Sequence, residues 1–201
     1  MAKIKLTKTQ KKIEQDALKQ YLRFLPTLQL KKQQLLVELR QSAERLRAAR
    51  EAAEAEREAL GAWIAVFGDD ALTDAAGRLV RIEKVRTGEM NIAGIPVPTF
   101  DGVDFAEAEY DFFTTDPLLD DCMAAIRETV INREACAVLE EQYRLLEKEL
   151  ATTTQRVNLF EKVKIPETRE NIRKITIYLS DQDTSAVVRS KLAKSKNTEA
   201  A

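Results

Sequence analysis

Apolar residues recur at steps of three and four along two long stretches that contain no glycine. In the first, Ile13, Ala17, Tyr21, Phe24, Leu28, Leu35, Leu39, Leu46, Ala49, Ala53 and Leu60 fall near multiples of about 3.5 residues, the spacing of a coiled-coil seam. Leu18, Leu22, Leu25 and Leu36 run beside that line and broaden the apolar face of this helix. Pro26 lies inside the pattern, where it is expected to kink the helix or remove a hydrogen bond. Glu51 through Glu58, in an Ala/Glu/Arg run, reads as a solvated face held by side-chain pairs. The second stretch opens at Thr115-Asp116-Pro117, with Thr115 or Asp116 as N-cap and proline in the first turn. Its seam runs through Leu118, Cys122, Ile126, Thr129, Cys136, Leu139, Tyr143, Leu146, Leu150, Thr153, Val157 and Phe160. The period resumes after Pro166 at Ile172, Ile175 and Leu179, and polar Lys191–Ala201 is expected to fray.

All six glycines lie between Gly61 and Gly102, which marks this stretch as the place where the backbone turns. Trp63, Ile64, Val66 and Phe67 end at Gly68-Asp69-Asp70, a helix stop. Leu79 through Thr87 is rich in β-branched residues, and Ile95-Pro96-Val97-Pro98-Thr99-Phe100 follows Asn91-Ile92-Ala93-Gly94. This predicts a two-stranded antiparallel unit turning near Ala93-Gly94, with Pro96 and Pro98 confining the second strand to an edge. Such a ribbon is marginal alone and must lean on the helices or on a partner.

The predicted fold is therefore mainly α: a long antiparallel two-helix coiled coil with a short β-hairpin-containing insert at the turn end. Its expected parts are a long N-terminal helix over 1–67, an insert over 68–115 with the hairpin at about 79–100, a long C-terminal helix over 116–195, and a flexible tail at 196–201. About 60 helical residues would span ~90 Å, and only a shared seam explains how helices of that length survive in water. Both termini would then lie at one end.

Composition supports an elongated chain. The hydrophobic fraction is ordinary at 44% while the charged fraction is high at 32%, as a narrow apolar seam requires, and a net charge of −1 argues against disorder. Charge is also sorted by position. Residues 1–32 hold nine Lys/Arg against two Asp/Glu, and residues 154–201 hold ten against six. Residues 61–121 hold four against thirteen. In an antiparallel hairpin both basic segments meet at the terminal end and the acid sits at the other, which points to different partners at the two ends. Neutral overall charge, few aromatics and the lack of a recognised motif argue against nucleic acid.

Candidate chemistry is sparse. The chain has no histidine, which removes the commonest general acid/base and metal ligand. Cys122 and Cys136 are fourteen positions apart on one predicted helix, about 21 Å at ~1.5 Å per residue, so they read as free core residues of a reducing compartment. No phosphate-cradling glycine loop, nucleophile elbow or CxxC pair occurs. Asp69-Asp70 reads as a turn, and Asp120-Asp121 as helix N-terminal charge. No catalytic, cofactor or metal site is expected. No stretch approaches the ~18 apolar residues of a membrane span, and the basic start has no apolar segment behind it, so a cytoplasmic location is expected.

Three segments resemble the D subunit of the V/A-type rotary ATPases, and most closely its bacterial members. Arg23-Phe24-Leu25-Pro26-Thr27-Leu28-Gln29-Leu30-Lys31-Lys32-Gln33-Gln34-Leu35-Leu36 is similar to that family's N-terminal helix. Asn91-Ile92-Ala93-Gly94-Ile95 with Val97-Pro98 is similar to its middle hairpin. Thr154-Gln155-Arg156-Val157-Asn158-Leu159-Phe160, Lys164-Ile165-Pro166 and Glu170-Asn171-Ile172-Arg173-Lys174-Ile175 are similar to its C-terminal helix. The resemblance implies a non-catalytic central-stalk rotor shaft that couples ATP hydrolysis or synthesis to ion translocation. It implies that the terminal helices enter the ring of catalytic and nucleotide-binding subunits, with Pro26, Lys31, Lys32, Arg169 and Arg173 as candidate ring contacts. It further implies that the small F subunit and the membrane-proximal funnel subunit bind toward the insert, and that the chain is a peripheral part of a membrane-bound complex. The competing reading is a cytoplasmic coiled-coil tether or prefoldin-like chaperone. Stoichiometry separates the two: one copy per large complex, or several identical copies.

Overall fold

The computed structural model describes residues 5–67, 70–111 and 116–199, with side chains described outside 62–73 and 197–199. The order of elements is α1 (Lys8–Phe67), α2 (Asp70–Leu79), β1 (Ile82–Ile92), β2 (Ile95–Phe105), α3 (Leu119–Asn158), a π-helical segment (Leu159–Lys164) and α4 (Ile165–Glu199). The chain is mainly helical, with one antiparallel hairpin between long helices. Of the described residues, those in Met1–Lys32 with Thr152–Ala201 form one compact unit, and those in Gln33–Ala151 a second.

In α1 the inward positions are Glu14, Leu18, Tyr21, Leu25, Leu28, Lys32, Leu35, Leu39, Ser42, Leu46, Ala49, Ala53, Glu56 and Leu60, each half-buried or buried. These alternate steps of four and three without interruption, a strict heptad seam. Three residues expected on that seam are not on it: Ile13 is 55% exposed, Phe24 is 52% exposed, and half-buried Ala17 lies beside the position that Leu18 takes. Leu25 takes the place expected for Phe24, because Tyr21 and Leu28 leave one inward slot between them, four residues on from Tyr21. Pro26 is an outward position of this helix, which runs unbroken from Lys8 to Phe67. Thr27 Oγ1 donates to the Phe24 carbonyl at 2.7 Å in the turn beside it.

Two cores hold the middle unit. In one, Ala76, Leu119, Cys122 and Met123 gather Leu79, Val80, Ala108, Tyr110 and Ile126, so α2 and the segment after β2 close onto the start of α3. In the other, Leu35 of α1, Leu146 of α3 and Val97 of β2 are all buried, with Leu39, Ile92, Ile95 and Leu150 around them. The hairpin therefore leans on the helices, as its marginal size requires. α1 and α3 are antiparallel here: Glu56 accepts a hydrogen bond from Asn132, and Arg50 pairs with Glu140 at 2.6 Å. Within the run expected to be a solvated face, Arg57 pairs with Glu54 at 4.0 Å.

The turn falls at the expected place. Ile92 pairs with Ile95, and both intervening residues have positive φ, Ala93 at 52° and Gly94 at 81°, as a type I′ turn needs. Asn91 Oδ1 accepts from the Gly94 N–H at 2.8 Å. The strands differ from expectation at their far ends. Leu79 belongs to α2, so β1 starts at Ile82, and β2 continues past Phe100 to Phe105 through a bulge at Asp101, with Gly102 at φ 141°. Gly68, Asp69, Thr115 and Ala200–Ala201 lie outside the described residues, and so do parts of the expected helix stop, N-cap and tail. Asp116 Oδ1 accepts from the Leu118 N–H at 2.9 Å, a cap of the kind expected at this helix start. Asp120 and Asp121 occupy the first turn of α3.

The second seam carries an irregularity. Leu146, Leu150, Thr153, Val157 and Phe160 step by four and three, and Ile165, Thr168, Ile172, Ile175 and Leu179 do the same. Between Phe160 and Ile165 the step is five. The π segment absorbs it, with the Ile165 N–H reaching back five residues to the Phe160 carbonyl. One extra residue in an α-helix would rotate everything after it by about 100°, given ~3.6 residues per turn. The wider π turn cancels that rotation and keeps both halves of the seam inward. It also opens the turn just before Pro166, whose ring would otherwise clash with the carbonyl four residues back.

Candidate functional site

The five candidate contact residues all belong to the unit formed by the two chain ends. Pro26, Arg169 and Arg173 are exposed, while Lys31 and Lys32 are half-buried. Lys32 takes a half-buried seam position. Arg173 Nε pairs with Glu170 at 3.2 Å, and Glu170 also receives Lys174 Nζ at 3.9 Å. These are solvated pairs that hold the arginine loosely. Tyr21 and Phe160 lie with ring centroids 5.3 Å apart, tying α1 to the π segment.

Basic candidates were legible in the sequence; the exposure of apolar residues in the same unit was not. Ile13, Phe24, Leu30, Val163, Ile177 and Val187 are each between 48% and 56% exposed, and all lie in this unit. The heptad arithmetic could have found Phe24, since Leu25 already fills its slot. From Ser180 to Lys196 every residue of α4 is exposed, Val188 and Leu192 among them. Lys8, Lys11, Lys12 and Lys19 line a groove with Thr176, Ser180 and Asp183 of α4. No acidic residue offsets the lysines in the first turn of α1, where the helix dipole is itself positive. Exposed apolar residues in the unit that also carries the basic candidates are chemistry a protein contact can use.

Titration adds no nucleophile. Desolvation, then Asp121 and Asp116, pushes the Cys122 thiol up from its ordinary value, and desolvation followed by Glu140 does the same to Cys136. Both stay protonated at neutral pH, the inert state of a buried thiol. The Tyr110 hydroxyl donates to Asp120, and that bond is the largest cause holding its pKa up. Among the described residues no group of three or more carboxylates or cysteines is arranged to hold a metal, and no helix is long and apolar enough to cross a membrane.

Heptad-patterned helices, a hairpin folded onto them and exposed apolar side chains among lysines and arginines define an assembly protein of the long-helix class. Comparison with known proteins narrows this. The family model for the D subunit of ATP synthase matches residues 10–195. The V-type ATP synthase D subunit of Borreliella burgdorferi is 38% identical over 195 residues, covering 97% of this chain and 95% of that protein. The protein of the same name from Chlamydia caviae is 39% identical, covering 97% and 94%. The chain belongs to the ATP synthase D-subunit family.

Proposed function

We propose that this chain is the central-stalk shaft of a V/A-type rotary ATPase, coupling ATP turnover in a catalytic ring to ion translocation in a membrane rotor. Membership of the D-subunit family over residues 10–195 carries this reading. It makes the chain a non-catalytic subunit that works with the other subunits of its complex. The uninterrupted seam of α1, and the π turn that preserves the seam of α3 and α4, support it physically. A torque-bearing coil must keep side chains interlocked along its length, since any break is a point of twist.

In this reading the terminal unit is the part that enters the ring. Pro26, Lys31, Lys32, Arg169 and Arg173 contact it there, with the exposed apolar residues around them supplying the desolvated part of the bearing. The small F subunit and the membrane-proximal funnel subunit bind toward the insert, where acidic residues predominate. The chain is then a cytoplasmic, peripheral part of a membrane-bound assembly.

Mild affinity purification of the tagged chain from its native membranes, followed by native mass spectrometry, tests this. The expected result is one copy with two kinds of nucleotide-binding subunit and a small globular partner. A homo-oligomer free of ATPase subunits would instead establish the tether or chaperone.

A further inference from the structure

The two free edges of the hairpin are not equivalent. A two-residue turn is closed by a pair that exchanges both hydrogen bonds, here Ile92 and Ile95, and bonded pairs alternate from there. Met90/Val97 and Gly88/Thr99 are thus bonded pairs. The backbone groups of Pro96, Pro98 and Phe100 point out from the β2 edge, and those of Asn91, Glu89 and Thr87 out from the β1 edge. On the β2 side the two outward positions nearest the turn are prolines, with no N–H to give, the Pro98 carbonyl accepts Gln142 Nε2 of α3 at 2.5 Å, and the third, Phe100, abuts the bulge at Asp101 that breaks the line. That edge is closed to a further strand.

The β1 edge is open. It has no proline, and among the described residues no third strand pairs with it. From Ile82 to Asn91 every residue except Val85 and Gly88 is exposed. Thr87, Glu89 and Asn91 present N–H and C=O groups in a line at steps of about 6.8 Å, twice the rise of a strand residue. Only another extended backbone matches that line. Met90, 40% exposed, shares a face with Val97, which is buried against Leu35 and Leu146. A third strand at this edge would extend that buried face over Met90.

We propose that the outer edge of β1 is completed by an amphipathic extended strand from another subunit of the complex. Its apolar side chains lie beside Met90 and its polar ones beside Glu89 and Thr87. A second copy of this chain is a poor occupant. The antiparallel pairing that uses all three outward positions sets Glu89 against Glu89, and like charges directly opposite are destabilising. The inference rests on the chain's place in a multi-subunit complex, and its test separates the two.

Residue-resolved amide hydrogen exchange is measured on the isolated chain and on the assembled complex. In the isolated chain the Gly88 and Met90 amides exchange slowly and those of Thr87, Glu89 and Asn91 fast. In the complex the latter three slow by at least tenfold. Glu89→Pro, which removes an outward N–H while sparing the β1–β2 bonds, abolishes that protection, whereas Glu89→Ala keeps it. A complex that assembles with these three amides as fast as in the isolated chain overturns the inference and leaves the proposed function standing. So does protection already present in a self-associated isolated chain. Failure to recover any complex overturns both.

Discussion

Ser42 is 4% exposed at an inward position of α1, and its Oγ has no hydrogen-bond partner. A buried hydroxyl without a partner forfeits its hydration, and serine is also a weaker helix former than alanine. Ser42→Ala is therefore expected to stabilise the chain by roughly 1 kcal/mol, read as a rise of roughly 2–4 °C in thermal midpoint. An unchanged or lower midpoint would show that the hydroxyl has a partner in solution. The cysteines make a second prediction, on pH. Their folded-state pKa values lie above the ordinary thiol value. Below that value folded and unfolded chains are equally protonated and the stability is fully present. Above it the unfolded chain ionises first, so stability falls as pH rises toward the folded pKa. Denaturant midpoints should stay level across neutral pH, where the absence of histidine leaves little to titrate, and fall on the alkaline side. Cys122→Ala and Cys136→Ala together should shallow that alkaline fall; an unaltered slope assigns it to Tyr110, whose pKa is also raised.

At the scale of elements, the π segment is the feature with the clearest energetic consequence. Deleting exposed Val163 shortens the step between Phe160 and Ile165 to four and lets the helix run as α throughout. It also returns the proline ring to a regular α turn, at a cost of about 3 kcal/mol. The deletion alone should lower stability, and combining it with Pro166→Ala should recover about that amount in chemical denaturation. Equal midpoints for the two variants would mean that the π turn does not serve the proline. Long periods were what the sequence displayed best: Leu28, Leu35, Leu39 and Leu46 define a helix face without any structure, and Ala93-Gly94 between apolar runs defines the turn. Phe24 was misread because the period alone cannot choose between adjacent apolar residues, whereas packing admits only Leu25. The step of five was hidden because Phe160 and Ile165 are both apolar and a pattern interrupted by Pro166 looks like an ordinary break. The helix of Asp70–Leu79 was missed for a similar reason, since its buried residue Ala76 clusters with Leu119, Cys122 and Met123, far along the chain.

For the molecule as a whole, the sorting of charge bears on how it transmits force. The ends carry the surplus of lysine and arginine, and the residues between them carry the surplus of acid. Arg169 and Arg173 are exposed on α4, one turn apart, and Arg173 makes a solvated pair with Glu170. Reversing both, Arg169→Glu with Arg173→Glu, replaces the Arg173–Glu170 pair by a repulsion and adds a second between positions 169 and 173, each worth about 0.5 kcal/mol on a helix surface. The isolated chain should accordingly unfold within about 4 °C of the parent. In the assembled complex the same change reverses two charges on the surface proposed to bear on the ring. ATP-driven ion transport should then fall several-fold more than ATP hydrolysis, because a shaft that grips poorly slips without stopping the chemistry around it. Parallel losses of transport and hydrolysis would indicate failed assembly instead, which native mass spectrometry of the same preparation distinguishes. Unchanged coupling would remove both arginines from the bearing and leave the exposed apolar residues of α1 and α4 to provide it.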